Sequence, residues 1–83
     1  MYWVTDAKAL PEYRLWLRFS DGAEGEIDLK AFIESDSRPI VAALRDRGAF
    51  AAIQVDSDTV VWSNGFDLAP EFLRARVQPR VAA

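Results

Sequence analysis

The chain predicts an α+β domain: a single antiparallel sheet of about five strands, in the order strand, hairpin, helices, hairpin, helix, with the helices on one face. Three observations carry that prediction. Apolar and charged side chains alternate with period two across residues 13–29, and a β-branched and aromatic pattern returns across 53–62, as expected of strands with one covered face. Apolar residues recur at helical spacing after Leu29, after Pro39 and after Leu68. Turn residues, Asp21-Gly22, Asp56-Ser57-Asp58 and Asn64-Gly65, punctuate these segments. Locally connected strands of this kind pair antiparallel, and helices then cover the apolar face.

Residues 3–9 read as the first strand, with Trp3, Thr5, Ala7 and Ala9 on one side and Val4, Asp6 and Lys8 on the other, ended by Pro11-Glu12. The hairpin over 13–29 organises the chain. Tyr13, Leu15, Leu17 and Phe19 alternate with Arg14, Trp16 and Arg18; after the turn, Gly25, Ile27 and Leu29 alternate with Glu24, Glu26 and Asp28. A two-residue Asp21-Gly22 loop sets Leu17 against Glu26, apolar against charge. A three-residue Ser20-Asp21-Gly22 loop with Gly22 left-handed instead pairs Leu17 with Gly25 and Leu15 with Ile27. The longer loop also puts Arg18 opposite Glu24 and Arg14 opposite Asp28, so it is the predicted one.

Asp28 is expected to cap a short helix whose Leu29, Phe32 and Ile33 share a face. Pro39 suits the first position of a second helix, striped by Ile40, Ala43, Leu44 and Arg47 and stopped at Gly48. Phe50 then drops into the core. In the second hairpin a two-residue Ser57-Asp58 loop matches Val55 with Val60 and Ile53 with Trp62. A three-residue loop would instead pair Ile53 with Val61; the shorter one is favoured because it matches apolar partners twice. After the Asn64-Gly65 turn, Asp67 is placed to cap a last helix starting near Pro70, with Leu68, Phe72, Leu73 and Val77 inward and Pro79 ending it.

Length and composition limit the function. Eighty-three residues make one domain, 1–83, with 78–83 expected as a flexible tail. Without histidine or cysteine there is no Ser-His-Asp triad, no thiolate nucleophile, no imidazole base and none of the usual zinc ligands. The protein is therefore expected to be noncatalytic, with no cofactor and no metal. The N-terminus lacks a basic start and apolar signal core, and no apolar run approaches the roughly 20 residues a spanning helix needs. A cytoplasmic protein with no membrane contact is expected. The net charge of -3 speaks against direct nucleic-acid binding, which relies on clustered cations. Charge is uneven, however: residues 1–36 hold eight acids and four bases, and 71–83 hold one acid and three arginines, Arg74, Arg76 and Arg80. Those arginines also suit the end of a helix, where cations complement its dipole.

Several strings together resemble a known family. They are A-L-P-E-Y-R-L-x-L-x-F-S-D-G from Ala9, E-I-D-L from Glu26, R-D-x-x-x-F from Arg45, I-x-V-D from Ile53 and V-V-W-S-N-G-x-D-L-A-P-E-x-L from Val60. The chain is similar, from about Thr5 to Leu73, to the bacterial domain-of-unknown-function family numbered 2442, and the segment from Trp62 to Pro70 is the most specific part. One departure is Ser63, where the family pattern has proline; it leaves the fold intact and the turn slightly less fixed. The resemblance implies a small α+β domain, often encoded beside a second small protein in a toxin-antitoxin-like arrangement. Some members are fused to a helix-turn-helix, for which a chain ending at Ala83 is expected to leave no room. No catalytic activity comes with the family.

The candidate chemistry lies on the open face of the first hairpin. Glu24, Glu26 and Asp28 project from one strand face at i, i+2 spacing, about 7 Å apart, as a hydrolytic pair or hard-metal site would require. They also face Arg14 and Arg18, and cross-strand pairing is the simpler use for them. Asp56 and Asp58 read as a polar turn, since the spaced ligands of a calcium loop are missing. Parity places Trp16 between Arg14 and Arg18, the composition of an interface hot spot. The alternative is that the C-terminal helix covers it. Trp3 and Trp62 are assigned to the core. The expected partner surface is thus Trp16, Arg14, Arg18, Glu24, Glu26 and Asp28.

The expected function is a noncatalytic protein-binding module, antitoxin-like or accessory, working through a sheet face or edge on a small toxin-like protein. A homodimer is compatible with the same surface. The alternative is a phage-type antidefence inhibitor, whose acidic face competes with phosphate for a nucleic-acid-handling complex.

Overall fold

The computed structural model of the chain describes residues 2–79. Strands β1 (Val4–Leu10), β2 (Arg14–Phe19) and β3 (Glu24–Asp28) run as an antiparallel meander, followed by helices α1 (Lys30–Ser35) and α2 (Pro39–Ala42). Helix α2 passes into a 3-10 turn (Ala43–Arg45), and α3 (Arg47–Ala51) follows. The hairpin β4 (Ile53–Asp56) and β5 (Thr59–Trp62), helix α4 (Pro70–Arg76) and a short β6 (Gln78–Pro79) complete the order. Of the expected 78–83 tail, Gln78 and Pro79 thus pair with Glu26 and Gly25, and the remainder lies outside the described residues. Among the described residues no helix is long and apolar enough to cross a membrane.

The α+β class holds, but the single five-stranded sheet does not. One sheet has the order β1-β2-β3-β6, and β4-β5 is a separate two-stranded sheet. The outer edge of β3 is taken by β6, so it cannot receive the second hairpin. On the outer edge of β1, a single backbone hydrogen bond among the described residues reaches that hairpin, from Val4 N–H to the Asp58 carbonyl at 2.9 Å.

The register of the first hairpin is the one that its chemistry demands. Leu17 lies opposite Gly25, Leu15 opposite Ile27, Arg18 opposite Glu24 and Arg14 opposite Asp28. Phe19 N–H donates to the Ala23 carbonyl at 2.8 Å, closing a three-residue loop in which Gly22 takes φ +88°. That left-handed value is cheap for glycine and costly for a residue with a Cβ. The second hairpin also has the favoured register, Ile53 with Trp62 and Val55 with Val60.

Strand β1 departs from simple alternation. A bulge between Val4 and Asp6 inserts Thr5 as an extra residue, so Val4, Ala7 and Ala9 all face inward. The parity flip sends Trp3 outward, where it is 45% exposed; its expected core position is corrected by the bulge. Trp62 is buried as expected and its indole N–H donates to the Phe50 carbonyl at 2.9 Å.

The core lies against one face of the larger sheet. Leu15, Leu17, Phe19 and Ile27 meet Ile33 of α1, Val41 of α2, Leu44, Phe50 of α3, Val60 and Trp62 of β5, and Leu73 of α4. Burying each such side chain contributes about 1.5–3 kcal/mol.

Helix boundaries needed correction. Asp28 does not cap α1; it remains the last residue of β3 and its carboxylate accepts the Lys30 N–H at 2.9 Å. Pro39 does open α2, but Val41 and Leu44 are the buried positions, while Ile40 is 40% exposed. That i, i+3 spacing follows from the tightening into a 3-10 turn, with three residues per turn. Gly48 stops nothing: it lies inside α3, whose cap is Asp46, accepting the Ala49 N–H at 2.9 Å. Asp67 forms a bridge with Val61, and Ala69 occupies the cap position of α4 without a side-chain bond. Helix α4 ends at Arg76, before Pro79.

Candidate interaction face

Because every helix and the second hairpin contribute to the core on one side, the described residues leave the other side of β1-β2-β3 open. The alternation that buries Leu15 and Leu17 sends Arg14, Trp16 and Arg18 to that side, and the partner strands supply Lys8, Asp6, Glu24 and Glu26.

Trp16 sits at the centre of this face, on the central strand, opposite Lys8 of β1 and Glu26 of β3. It is half-buried and is absent from the apolar residues that pack against the core. The proposed alternative, cover by the C-terminal helix, is not what occurs: Leu73 of α4 is buried within the core on the opposite side. What surrounds the indole is charge. The Lys8 ammonium lies 5.8 Å and the Arg18 guanidinium 5.3 Å from its ring. Cations so placed are attracted to the aromatic face by about 0.5–1 kcal/mol each at exposed sites.

The flanking ions form a compensated lattice. Arg14 Nη1 reaches Glu26 Oε1 at 2.9 Å, a diagonal partner, and its Nε donates to the Pro11 carbonyl at 3.2 Å. Arg18 lies 3.2 Å from Glu24 and 3.6 Å from Asp6. Asp28 stands at the exposed end of the row, opposite Arg14, with its carboxylate on the Lys30 N–H. The structure thus brings Trp16, Arg14, Arg18, Glu24 and Glu26 together and leaves Asp28 at the margin. Asp6 and Lys8 were missed as members. Their alternation was visible in the sequence, but the bulge at Thr5 had to be known before they could be aligned with β2.

With three cations, Lys8, Arg14 and Arg18, against the carboxylates of Asp6, Glu24, Glu26 and Asp28, the face is nearly neutral. It offers no positive track for phosphates. Nor does it offer a bare acidic array, since three of the carboxylates, Asp6, Glu24 and Glu26, are held by arginine. Among the described residues no group of three or more potential ligands is gathered to hold a metal ion. The C-terminal arginines are also committed: Arg74 lies 3.3 Å from Asp21 and over Tyr2 and Phe19, and Arg76 stacks on Phe72. Arg80 lies outside the described residues.

A family model described as "Protein of unknown function (DUF2442)" matches residues 4–79. Among curated proteins, none matches. A crystal structure from Nitrosomonas europaea ATCC 19718, described provisionally as a DNA-binding protein, is similar in fold and 25% identical, with a TM-score of 0.76. The similarity covers 93% of this chain and 49% of that one, so the chain spans about half the length of this neighbour.

Proposed function

The chain belongs to the DUF2442 family, and from that premise we propose that it is a noncatalytic protein-binding module, antitoxin-like or accessory, docking through the open sheet face around Trp16. One observation carries the reading: a half-buried tryptophan stands on the solvent side of a sheet, off the core, between two cations. Tryptophan and arginine are enriched at the centres of protein interfaces, where a partner completes their burial. The face is favoured over the edges. Strand β6 closes part of β3, and the Asp58 carbonyl meets the edge of β1. Strand addition would have less free backbone to use.

The neighbour's description supports a second reading, in which the domain touches DNA. The near-neutral face and the net charge of -3 weigh against direct contact. The same description fits an accessory role, in which this fold is one half of a larger protein and the nucleic acid is met elsewhere. An antidefence phosphate mimic is weakened by the arginines on Glu24 and Glu26.

The test is affinity capture from cells of the source organism with the wild-type chain, Trp16→Ala, and a variant with Glu24, Glu26 and Asp28 changed to amides. A specific protein that is recovered by the wild type, lost with Trp16→Ala and retained by the amide variant supports the docking face. Recovery unaffected by Trp16→Ala overturns it, and loss confined to the amide variant points to the acidic mimic. A dimer in sedimentation that Trp16→Ala dissolves makes the partner a second copy. Salt-sensitive binding to duplex DNA, measured by fluorescence anisotropy, supports the DNA reading instead.

A further inference from the structure

At the end of the sheet opposite the Ser20–Gly22 loop, a cleft of about 670 Å³ opens between the β1–β2 turn and helices α1 and α3. It lies within the size range of small-molecule sites, about 300–1,000 Å³. The lining mixes an apolar wall with charge: Leu10, Tyr13 and Phe50 supply carbon surface, and Lys30, Arg47 and Glu12 supply ions. The rings of Tyr13 and Phe50 meet edge to face at 5.4 Å, which fixes one wall.

Two further features distinguish the cleft from a chance hollow. Among the described residues neither the Lys30 nor the Arg47 side chain has a hydrogen-bond or ion-pair partner, whereas Arg14, Arg18, Arg38, Arg45 and Arg74 all do. The rim is also strained. Glu12 and Tyr13 both take φ 61°, a left-handed pair without glycine. That conformation costs energy at each residue and persists where surrounding contacts impose it. Here Leu29 N–H donates to the Tyr13 carbonyl at 2.9 Å and the Tyr13 hydroxyl donates to the Arg45 carbonyl. The fold therefore holds an unfavourable turn in order where it shapes the cleft.

We propose that this cleft binds a small organic molecule bearing an oxyanion on an apolar ring body, the anion held between Lys30 and Arg47 and the ring lying against Tyr13 and Phe50. Glu12 offsets one of the two cations, which leaves the lining favourable to a negative ligand. The site is separate from the Trp16 face, so either can fail without the other.

The experiment is a titration of the full chain, followed by amide NMR shifts, with naphthoate, naphthyl phosphate and the neutral naphthalenemethanol. Saturable shifts at Leu10, Tyr13, Lys30 and Ala51 with an anion, and none with the alcohol, are expected. The anion that saturates at lower concentration identifies the ligand as a carboxylate or a phosphate. The double variant Lys30→Gln, Arg47→Gln is expected to bind at least tenfold more weakly, and Glu12→Gln to bind more tightly. Both cations are exposed, so the double variant should melt as the wild type does. A double variant that misfolds is replaced by the single substitutions, each expected to weaken binding several-fold. Absence of saturable shifts with both anions, equal response to the alcohol, or full binding by the charge variants overturns the proposal.

Discussion

Leu17 and Trp16 are adjacent in β2, yet they meet different surroundings. Leu17 is fully buried under the helices, while Trp16 stands on the other face among Lys8, Arg18 and Glu26. The two faces divide the work of the sheet. The covered face supplies the apolar burial that holds an 83-residue chain together. The open face carries a large aromatic that contributes little to that core and is therefore free to be selected for contact.

The largest expected effect follows from that division. Leu17→Ala should lose about 2–5 kcal/mol in chemical denaturation, through lost burial and the cavity left behind. Small domains have only about 5–15 kcal/mol in total, so this variant should be partly unfolded. Trp16→Ala, despite deleting a larger side chain, should cost only about 1–2 kcal/mol, the scale of its two cation contacts. Equal losses for the two variants would mean that Trp16 is a second core residue and not a docking group.

A smaller effect is expected at the loop that sets which face is which. No atom lies within 4 Å of a Cβ built on Gly22, so Gly22→Ala meets only the penalty of φ +88°, about 1–2 kcal/mol. Gly22→Asn should recover most of that loss, because asparagine tolerates the left-handed region. A penalty common to both would point to some cause other than backbone conformation.

The two hairpin registers were legible for different reasons: in the first the alternative opposed Leu17 to Glu26, apolar to charge, and in the second the favoured register matched apolar partners twice, Val55 with Val60 and Ile53 with Trp62. The residues that the first hairpin gives to the open face followed from its parity, whereas Asp6 and Lys8 of β1 did not. What escaped was set by single-residue events or by contacts between distant segments. Thr5 carries no mark of a bulge, so Trp3 was placed on the wrong side. Gly48 resembled a helix stop, while Asp46 was already capping the next helix. The separation into two sheets depends on Gln78 and Pro79 pairing with β3 across about 50 intervening residues. The cleft was invisible for a similar reason: Glu12, Lys30 and the α3 residues Arg47 and Phe50 come from three segments, and nothing in Pro11-Glu12-Tyr13 announces two left-handed residues.

The smallest effect concerns a tether between the loop of the first hairpin and α4, joining the region that sets the parity to the helix that covers one face. Asp21 accepts the Ala23 N–H at 3.1 Å and the Arg74 guanidinium at 3.3 Å, and its pKa lies below the ordinary 3.8. The Ala23 N–H is the first cause, with Arg74 adding to it and partial desolvation opposing both. A carboxyl whose folded pKa is depressed stabilises the fold above its unfolded value, and that contribution fades as pH falls through the folded value. Amide exchange in α4 should therefore quicken only in acid, below the ordinary carboxylate range. Arg74→Gln should move the Asp21 titration, followed by carboxyl NMR, partly back toward 3.8, because the Ala23 bond remains. Added salt should shift the wild-type value in the same direction, since the pair is exposed to solvent. Full return to 3.8 in Arg74→Gln would make the guanidinium the principal cause, and an unchanged value would show that the loop holds the carboxylate without help from the helix.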